Sequence, residues 1–430
     1  MVASTTTPLG QGVGVTSPAG DIAVDRRAVV PLLGRLRAPE GLAEPFPVWN
    51  EIRSLGEAVP TPWGGWLLTG FDVCNQVLRG RDWLVPDFAW QARQPDTERW
   101  QAPATQEMSR TLSRLNPPMH THQRRGIGNL FDRAALTALG PMVAGHTTHL
   151  LDELAERFAR GPADFVRPVG EMLPIATIGD WLGIPPEDHR YLVELTHDQA
   201  HAQELLPNKS QLALSEEATR QLRAYFTGLI AERRKAPGAD VLSSWIRTWD
   251  ELEPDRESAD EILYTLTMFV TVAALETTTT LLSTVVWRLL QDPARWDWLR
   301  RNPEHIDSAL DEALRYDPPI QLNTRIAAVD TELAGIPLAK DTMVHVMYGA
   351  ANHDPRANEN PGDFDILRGG NHLTFGGGIH YCLGAQLARL EARTLLGQLL
   401  ERFPTLHTPG APHYASRMVF RRIISLELAV

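Results

Sequence analysis

Between His372 and Arg393 the chain reads HLTFGGGIHYCLGAQLARLEAR, a stretch that holds Cys382, one of only two cysteines among 430 residues. Three consecutive glycines, Gly376 to Gly378, lead into it, and Gly384 follows two places later. Ala385, Leu387, Ala388 and Leu390 then fall at helical spacing. The cysteine is therefore expected in a tight loop that opens a helix. Unpaired backbone N–H groups and the positive end of a helix lower a thiol's pKa, so Cys382 is expected as an anionic sulfur, a ligand or a nucleophile. The flanking glycines remove Cβ atoms where the backbone folds back or a flat group approaches closely. A phosphate loop would need Lys-Ser/Thr after the glycines, and none follows. A zinc site from His372, His380 and Cys382 lacks a fourth partner, since no CxxC occurs. A buried structural cysteine is the plain alternative, but such a residue needs no glycine scaffold.

A second constraint is a long helix expected from about Ser258 to Leu290, apolar almost all round and therefore buried. Within it, AALETTTT sets Glu276 beside Thr277 and both near Ala273 and Ala274, whose small side chains let a ligand reach the backbone. An acid and a hydroxyl within hydrogen-bond reach can relay a proton through water. The alternative is that the threonines fill a helix contact and Glu276 is paired elsewhere. In PPMHTHQRRGIGNLF two prolines precede a helix start, and His120 and Arg124 stand four apart on one face, able to grip a carboxylate. Basic residues on a solvated helix face would look the same. DEALRYDPP places Glu312 and Arg315 three apart, a spacing that on a surface contributes only about 0.2–0.5 kcal/mol.

Taken in order, AALETT, EALR, FDILR and FGGGIHYCLG resemble the motifs of the cytochromes P450, and the likeness runs from about residue 45 to the C-terminus. It implies a mainly α fold with a smaller β part. Haem b would lie between the long helix, helix I of that family, and the Cys382 loop with its following helix L. Cys382 would be the axial ligand, pushing electron density toward iron. Glu276 and Thr277 would handle protons during oxygen activation. By the same resemblance His120, Arg124, Arg325 and His380 bind the haem propionates, a sensible set because a buried dianion needs charged, hydrogen-bonding partners. Ala273, Phe375 and Gly384 would border the cofactor, and Glu312, Arg315 and Arg368 would form a buried structural network. The family often has glycine where Ala274 stands, easing a local kink, so the relay geometry is expected to differ here.

The activity this implies is reductive activation of O₂ to hydroxylate or otherwise oxidise a small organic molecule of secondary metabolism. Electrons would come from a separate ferredoxin or flavodoxin with its reductase, because no flavin domain is fused. Arg124, Arg125, Arg389 and Arg393 could present a basic patch to such a partner. Three alternatives stand beside it: oxidative C–C or C–N coupling or ring closure of an indole, phenol or cyclic-dipeptide-like substrate; a peroxide-driven reaction; and a non-enzymatic haem sensor.

Residues 82–117 form a long irregular region, and connections this long inside a compact domain are usually functional. The resemblance places it over the distal pocket. Its Trp83, Phe88 and Trp90 are candidate walls, together with Val270, Ala273, Ala274, Leu322, Met418 and Phe420; the tryptophans could equally anchor the loop to the protein body. Residues 191–235 read as two helices joined near Pro207, a candidate lid.

Lys and Arg total 41 against 53 Asp and Glu, a formal charge of −12, which argues against a nucleic-acid partner. A disulfide could use only Cys74 and Cys382 and would consume the reactive thiol, so a reducing cytoplasm fits. Cys74, on the apolar face of FDVCNQVLR, reads as core. The longest apolar stretch, Leu263 to Leu290, carries Glu276 and Arg288 and does not meet the criterion for a membrane span. The Thr-, Gly-, Ser- and Pro-rich start is expected as a disordered tail over 1–40. Residues 41–430 are expected as one domain, larger than the usual length prior because a single cofactor organises it.

Overall fold

Helices dominate wherever apolar residues recur at three- and four-residue spacing, and the computed structural model describes residues 25–94, 97–128 and 130–430. The elements that place the site are helices α1 (Val29–Arg37), α2 (Met119–Gly126), α3 (Met172–Leu182), α4 (His189–Gln199), α5 (Lys209–Lys235), α6 (Arg256–Leu290), α7 (Ile306–Tyr316) and α8 (Ala385–Arg402). Asp255 caps α6, its carboxylate accepting from the Ser258 amide at 2.9 Å, and the helix stops just before Pro293, which cannot continue it.

The apolar surface of α6 is satisfied on all sides. Its second half packs Leu282, Val285 and Leu289 against Leu310 and Leu314 of α7 and Leu395 and Leu399 of α8. Its first half packs Leu263, Leu266 and Leu275 against Leu222 and Phe226 of α5 and against Trp245 and Trp249. Each such side chain contributes roughly 1.5–3 kcal/mol of burial free energy, which fixes α6 as the axis of the protein. This helix is long and apolar enough to cross a membrane, and 78% of its most apolar window is buried inside the protein.

The β part is a five-stranded sheet built from β1 (Ala58–Pro60), β2 (Trp66–Leu68), β3 (Trp83–Leu84), β4 (Leu322–Ala327) and β5 (Met343–Met347), in the order β1-β2-β5-β4-β3. Strands β2 and β5 run parallel with Trp66 opposite Val344, and β4 lies antiparallel to β5 with Leu322 opposite Met347. This pairing carries Arg325 and its neighbours to the cavity described below.

The two helices expected over residues 191–235 are α4 and α5, joined through a 3₁₀ turn at Ala200–Gln203. A capping box between Asn208 and Gln211 starts α5, and Arg223 on α5 makes a two-point ion pair with Glu261 on α6 at 2.8 and 2.9 Å. The boundary expected at residue 40 is corrected. Val29, Leu33 and Leu36 of α1 are buried in the same cluster as Trp49, Leu322 and Phe420, so the packed body begins before residue 41. Their i, i+4, i+7 spacing is diluted in sequence by Pro31, Gly34, Arg35 and Arg37. The first 24 residues of the expected tail lie outside the described residues.

Candidate active site

The Cys382 loop takes its shape from two glycines with positive φ, Gly376 at 72° and Gly378 at 63°. A Cβ at Gly378 would stand 2.7 Å from the Leu78 carbonyl oxygen. The Cys382 amide donates to the Phe375 carbonyl at 2.9 Å, closing the loop, and α8 begins three residues later. Nothing lies within 4 Å of where a Gly384 Cβ would project, which leaves an open cradle beside the thiol. Cys382 ranks as exposed, yet it is enclosed by protein on nearly every side; the surface it offers is cavity wall. Burial pushes the Cys382 thiol up, outweighing the Gly384 and Ala385 amides and the Arg124 charge that favour thiolate. Cys74 is core as expected, fully buried with its Sγ 3.3 Å from the Leu68 carbonyl.

A cavity of about 280 Å³ separates this loop from α6. On the α6 side Phe269, Ala273, Ala274 and Thr277 face it, spaced i, i+4, i+5 and i+8, and are less buried than the residues between them. Thr277 Oγ1 donates to the Ala273 carbonyl at 2.8 Å, as Thr280 and Ser283 do to their own preceding turns, leaving the Thr277 lone pairs toward the cavity. The helix runs without a break through Ala274.

His120, Arg124, Arg325, Phe375, His380 and Gly384 all line the same cavity, although they come from three separate parts of the chain. The His120 and His380 rings stand 4.5 Å apart. Arg124 reaches the Tyr381 carbonyl at 3.4 Å, and buried Arg325 donates, among the described residues, only to the adjacent Thr324 carbonyl at 2.8 Å. Burial, followed by Arg325, His120, Arg114 and Arg124, pushes His380 down to about 2. A buried cluster of cationic and donor groups without carboxylate partners fits a planar dianion such as haem.

Glu276 contributes to the cavity wall, but its carboxylate is held elsewhere. It accepts from His197 Nδ1 at 2.7 Å and from Arg417, while His197 Nε2 faces Glu171 at 3.2 Å. Arg422 Nη2 lies 2.6 Å from both Glu171 and His197 Nε2; with the imidazole protonated, its bond is the one to the carboxylate. Burial opposes ionisation of Glu276, yet His197, Arg417 and Arg422 outweigh it and hold the carboxyl near 2. His197, Glu171, Arg417 and Arg422 escaped the sequence reading because Arg417 stands 141 residues from Glu276 and no local spacing links them. Also missed were Arg114 and Glu391, both cavity-lining, the latter a buried carboxyl that desolvation raises to about 8.

Several expected pocket walls lie elsewhere. Trp83 pairs β3 with β4 and packs against Cys74 and Leu78; Trp90 packs edge-to-face on Trp100 at 5.3 Å; Phe88 is 41% exposed under Arg110. Trp83, Trp90 and Phe88 anchor that loop or face solvent instead of facing the main cavity, while Trp100 borders a smaller adjoining one. Leu322 and Met418 border smaller neighbouring cavities, whereas Val270, Ala273, Ala274 and Phe420 do line the main one. Glu312, Arg315 and Arg368 meet as expected, with Arg315 Nε and Nη2 at 2.7 and 2.8 Å from Glu312 and Arg368 Nε at 3.3 Å.

This geometry defines a class of protein that holds haem through a cysteine thiolate. The family model for cytochrome P450 matches residues 104–414, and the chain belongs to the cytochrome P450 family. It is 30% identical over 379 residues to the biotin biosynthesis cytochrome P450 of Bacillus subtilis (strain 168), covering 86% of this chain and 91% of that protein. It is 30% identical over 375 residues to 6-deoxyerythronolide B hydroxylase of Saccharopolyspora erythraea, covering 84% and 89%. The crystal structure of P450BioI in complex with an acyl carrier protein ligated to hexadec-9Z-enoic acid superposes with a TM-score of 0.82 at 27% identity, covering 91% of this chain and 100% of that one. The protein is therefore a haem-thiolate monooxygenase, an oxidoreductase with Cys382 as the axial ligand.

Proposed function

We propose that this enzyme hydroxylates, or otherwise oxidises, a small and largely apolar organic molecule of secondary metabolism held between α6 and the Cys382 loop. The observation that carries the reading is one cavity bounded on one side by Ala273, Ala274 and Thr277 and on the other by Cys382, with Phe269, Val270 and Phe420 as apolar walls. The name of one relative, a 6-deoxyerythronolide B hydroxylase, supports a secondary-metabolite substrate.

His120, Arg124, Arg325 and His380 would hold the haem propionates, and Gly384 would leave room for the ring. Haem supplies the oxygen activation when electrons reach it; the chain supplies position, shielding and protons. Thr277 Oγ1 would accept and pass a proton within the cavity. Glu276 would feed it only after loosening from His197 and Arg417, because the carboxylate is otherwise saturated with donors. Oxidative coupling gains no support from the loop tryptophans, which do not line the cavity.

A ferredoxin or flavodoxin with its reductase would donate electrons, and the enzyme would work in the cytoplasm. Of the arginines expected to greet that partner, Arg389 and Arg393 are paired with Asp311 and Asp307 at 2.5 and 2.6 Å, so exposed Arg125 is the strongest remaining candidate.

An optical titration of the purified ferric protein against terpenoid, macrolide, fatty-acid and indole ligands tests the reading. A low-spin to high-spin shift with one class would name the substrate type for turnover assays. A haem band that Cys382→Ser leaves unchanged would overturn the assignment.

A further inference from the structure

Two arginines beside the cavity have no role in the scheme above. Arg114, on a 3₁₀ turn at Leu112–Arg114, lines the main cavity and a smaller adjoining one of about 60 Å³. Among the described residues its side chain makes no hydrogen bond and no ion pair. Arg99 lines the smaller cavity, stacked over Trp100 at 4.5 Å. It donates from Nη1 to the Leu205 carbonyl, while its buried Nε has no partner. Both cavities share Met108, Arg114, Gln203, Ile320, Asn323 and Phe420, so they abut.

Among the described residues no aspartate or glutamate lines the smaller cavity. The acid that acts on Arg99, Glu204, is committed to the amides of Met418 and Val419 at 2.9 and 3.1 Å. In the main cavity Glu276 is already neutralised by His197 and Arg417, and Glu391 is held protonated at neutral pH by burial. With Arg124 and Arg325 assigned to two propionates, Arg99 and Arg114 remain as half-buried, cavity-lining cations without an anion among the described residues. Burial first, and then the charge of Arg114 on Arg99 and of Arg325 on Arg114, pulls both guanidinium groups down to about 10. Desolvated cations are retained only where a partner compensates them.

We infer that the substrate carries a carboxylate, which Arg99 and Arg114 grip in the smaller cavity while its apolar remainder extends over Cys382. This rests on the haem-thiolate oxidation proposed above and narrows its substrate to organic acids. Arginine suits the task because its planar fork matches a carboxylate and keeps its charge when desolvated.

The ferric holoenzyme titrated with dodecanoic acid and 4-phenylbutanoic acid, each against its methyl ester, tests the inference. Each acid is expected to bind at least about tenfold tighter than its ester. Arg99→Gln and Arg114→Gln are each expected to cut that preference below about threefold, with ester affinity and haem content unchanged. Equal binding of acid and ester overturns the inference, as does a preference that survives both substitutions. So does an absent acid response while imidazole still binds the iron. Haem loss in Arg114→Gln with the acid preference intact in Arg99→Gln would assign Arg114 to a propionate instead. The carbon-monoxide difference spectrum reports the haem separately: its absence in every preparation, wild type included, removes the oxidation reading and this inference together.

Discussion

His197 Nδ1 stands 2.7 Å from Glu276, joining helix α4 to the centre of α6 by a charged contact. Burial would lower His197, but Glu276 and Glu171 outweigh it and raise the imidazole, so its contribution is complete below the ordinary value of 6.5 and is lost as pH rises through the folded value. Glu276 is shifted the other way, from 4.5 to about 2; its contribution is complete above 4.5 and is lost as pH falls toward 2. The network is therefore strongest between about pH 4.5 and 6.5. Arg417→Met, which strands the buried carboxylate, is expected to cost about 3–5 kcal/mol in that window and much less at pH 3. Urea unfolding at both pH values checks it; an equal loss at both would mean the group is not ionised in the fold.

Arg315 is saturated in a way lysine cannot reproduce. Beyond its two bonds to Glu312 it donates to the carbonyls of Asn352, Pro361 and Asp363 at 3.2, 3.0 and 3.1 Å, and its side chain is fully buried. Asn352 in turn accepts from the Leu373 amide at 2.8 Å, which ties this knot to the segment leading into the Cys382 loop. Arg315→Lys is expected to lose about 3–5 kcal/mol of stability and to weaken haem retention. Denaturant midpoints and haem titration read the two effects; a loss below about 1 kcal/mol would contradict the account.

Trp83, Phe88 and Phe420 separate a structural, an exposed and a cavity-lining aromatic. Trp83→Ala empties a packed site between β3 and the helix carrying Cys74 and is expected to cost about 3–5 kcal/mol while leaving ligand affinity unchanged. Phe88→Ala, at an exposed position, is expected to change stability by under about 0.5 kcal/mol and affinity not at all. Phe420→Ala, buried and cavity-lining, is expected to change both. Optical titration with one responsive ligand distinguishes the three.

Where chemistry was written into short spacing, the sequence was legible: the Gly376–Gly384 loop, the His120 and Arg124 pair on α2, the Glu312 and Arg315 pair on α7, and the buried length of α6. The Glu276 partners were not, because a residue's ion pairs depend on which distant strands and loops fold over it; His197 and Arg417 read as ordinary polar residues within their own segments. The aromatic loop misled for a related reason. Tryptophan satisfies a core and a ligand wall equally well, and only β3 pairing with β4 decides that Trp83 belongs to the core. The short Arg- and Pro-interrupted α1 was hidden because its three buried residues are too few to stand out from a polar tail.

Glu391 offers the sharpest pH test. It lies on α8, 2% exposed, in the cavity wall. Burial raises its carboxyl from 4.5 to about 8, and the Thr177 hydroxyl beside it, which falls short of a formed hydrogen bond, offsets only part of this. The folded state therefore binds a proton that the unfolded state has released between these two values, so stability falls as pH rises from about 4.5 to 8 and is flat beyond. Glutamine keeps the shape and removes the ionisation. Glu391→Gln is expected to match the wild type near pH 5 and to exceed it by about 2–5 kcal/mol at pH 8.5. Unfolding free energies of the holoenzyme measured across that range check the sign directly: a gap that is constant with pH would mean that Glu391 ionises freely in the folded protein, through water reaching it from the cavity.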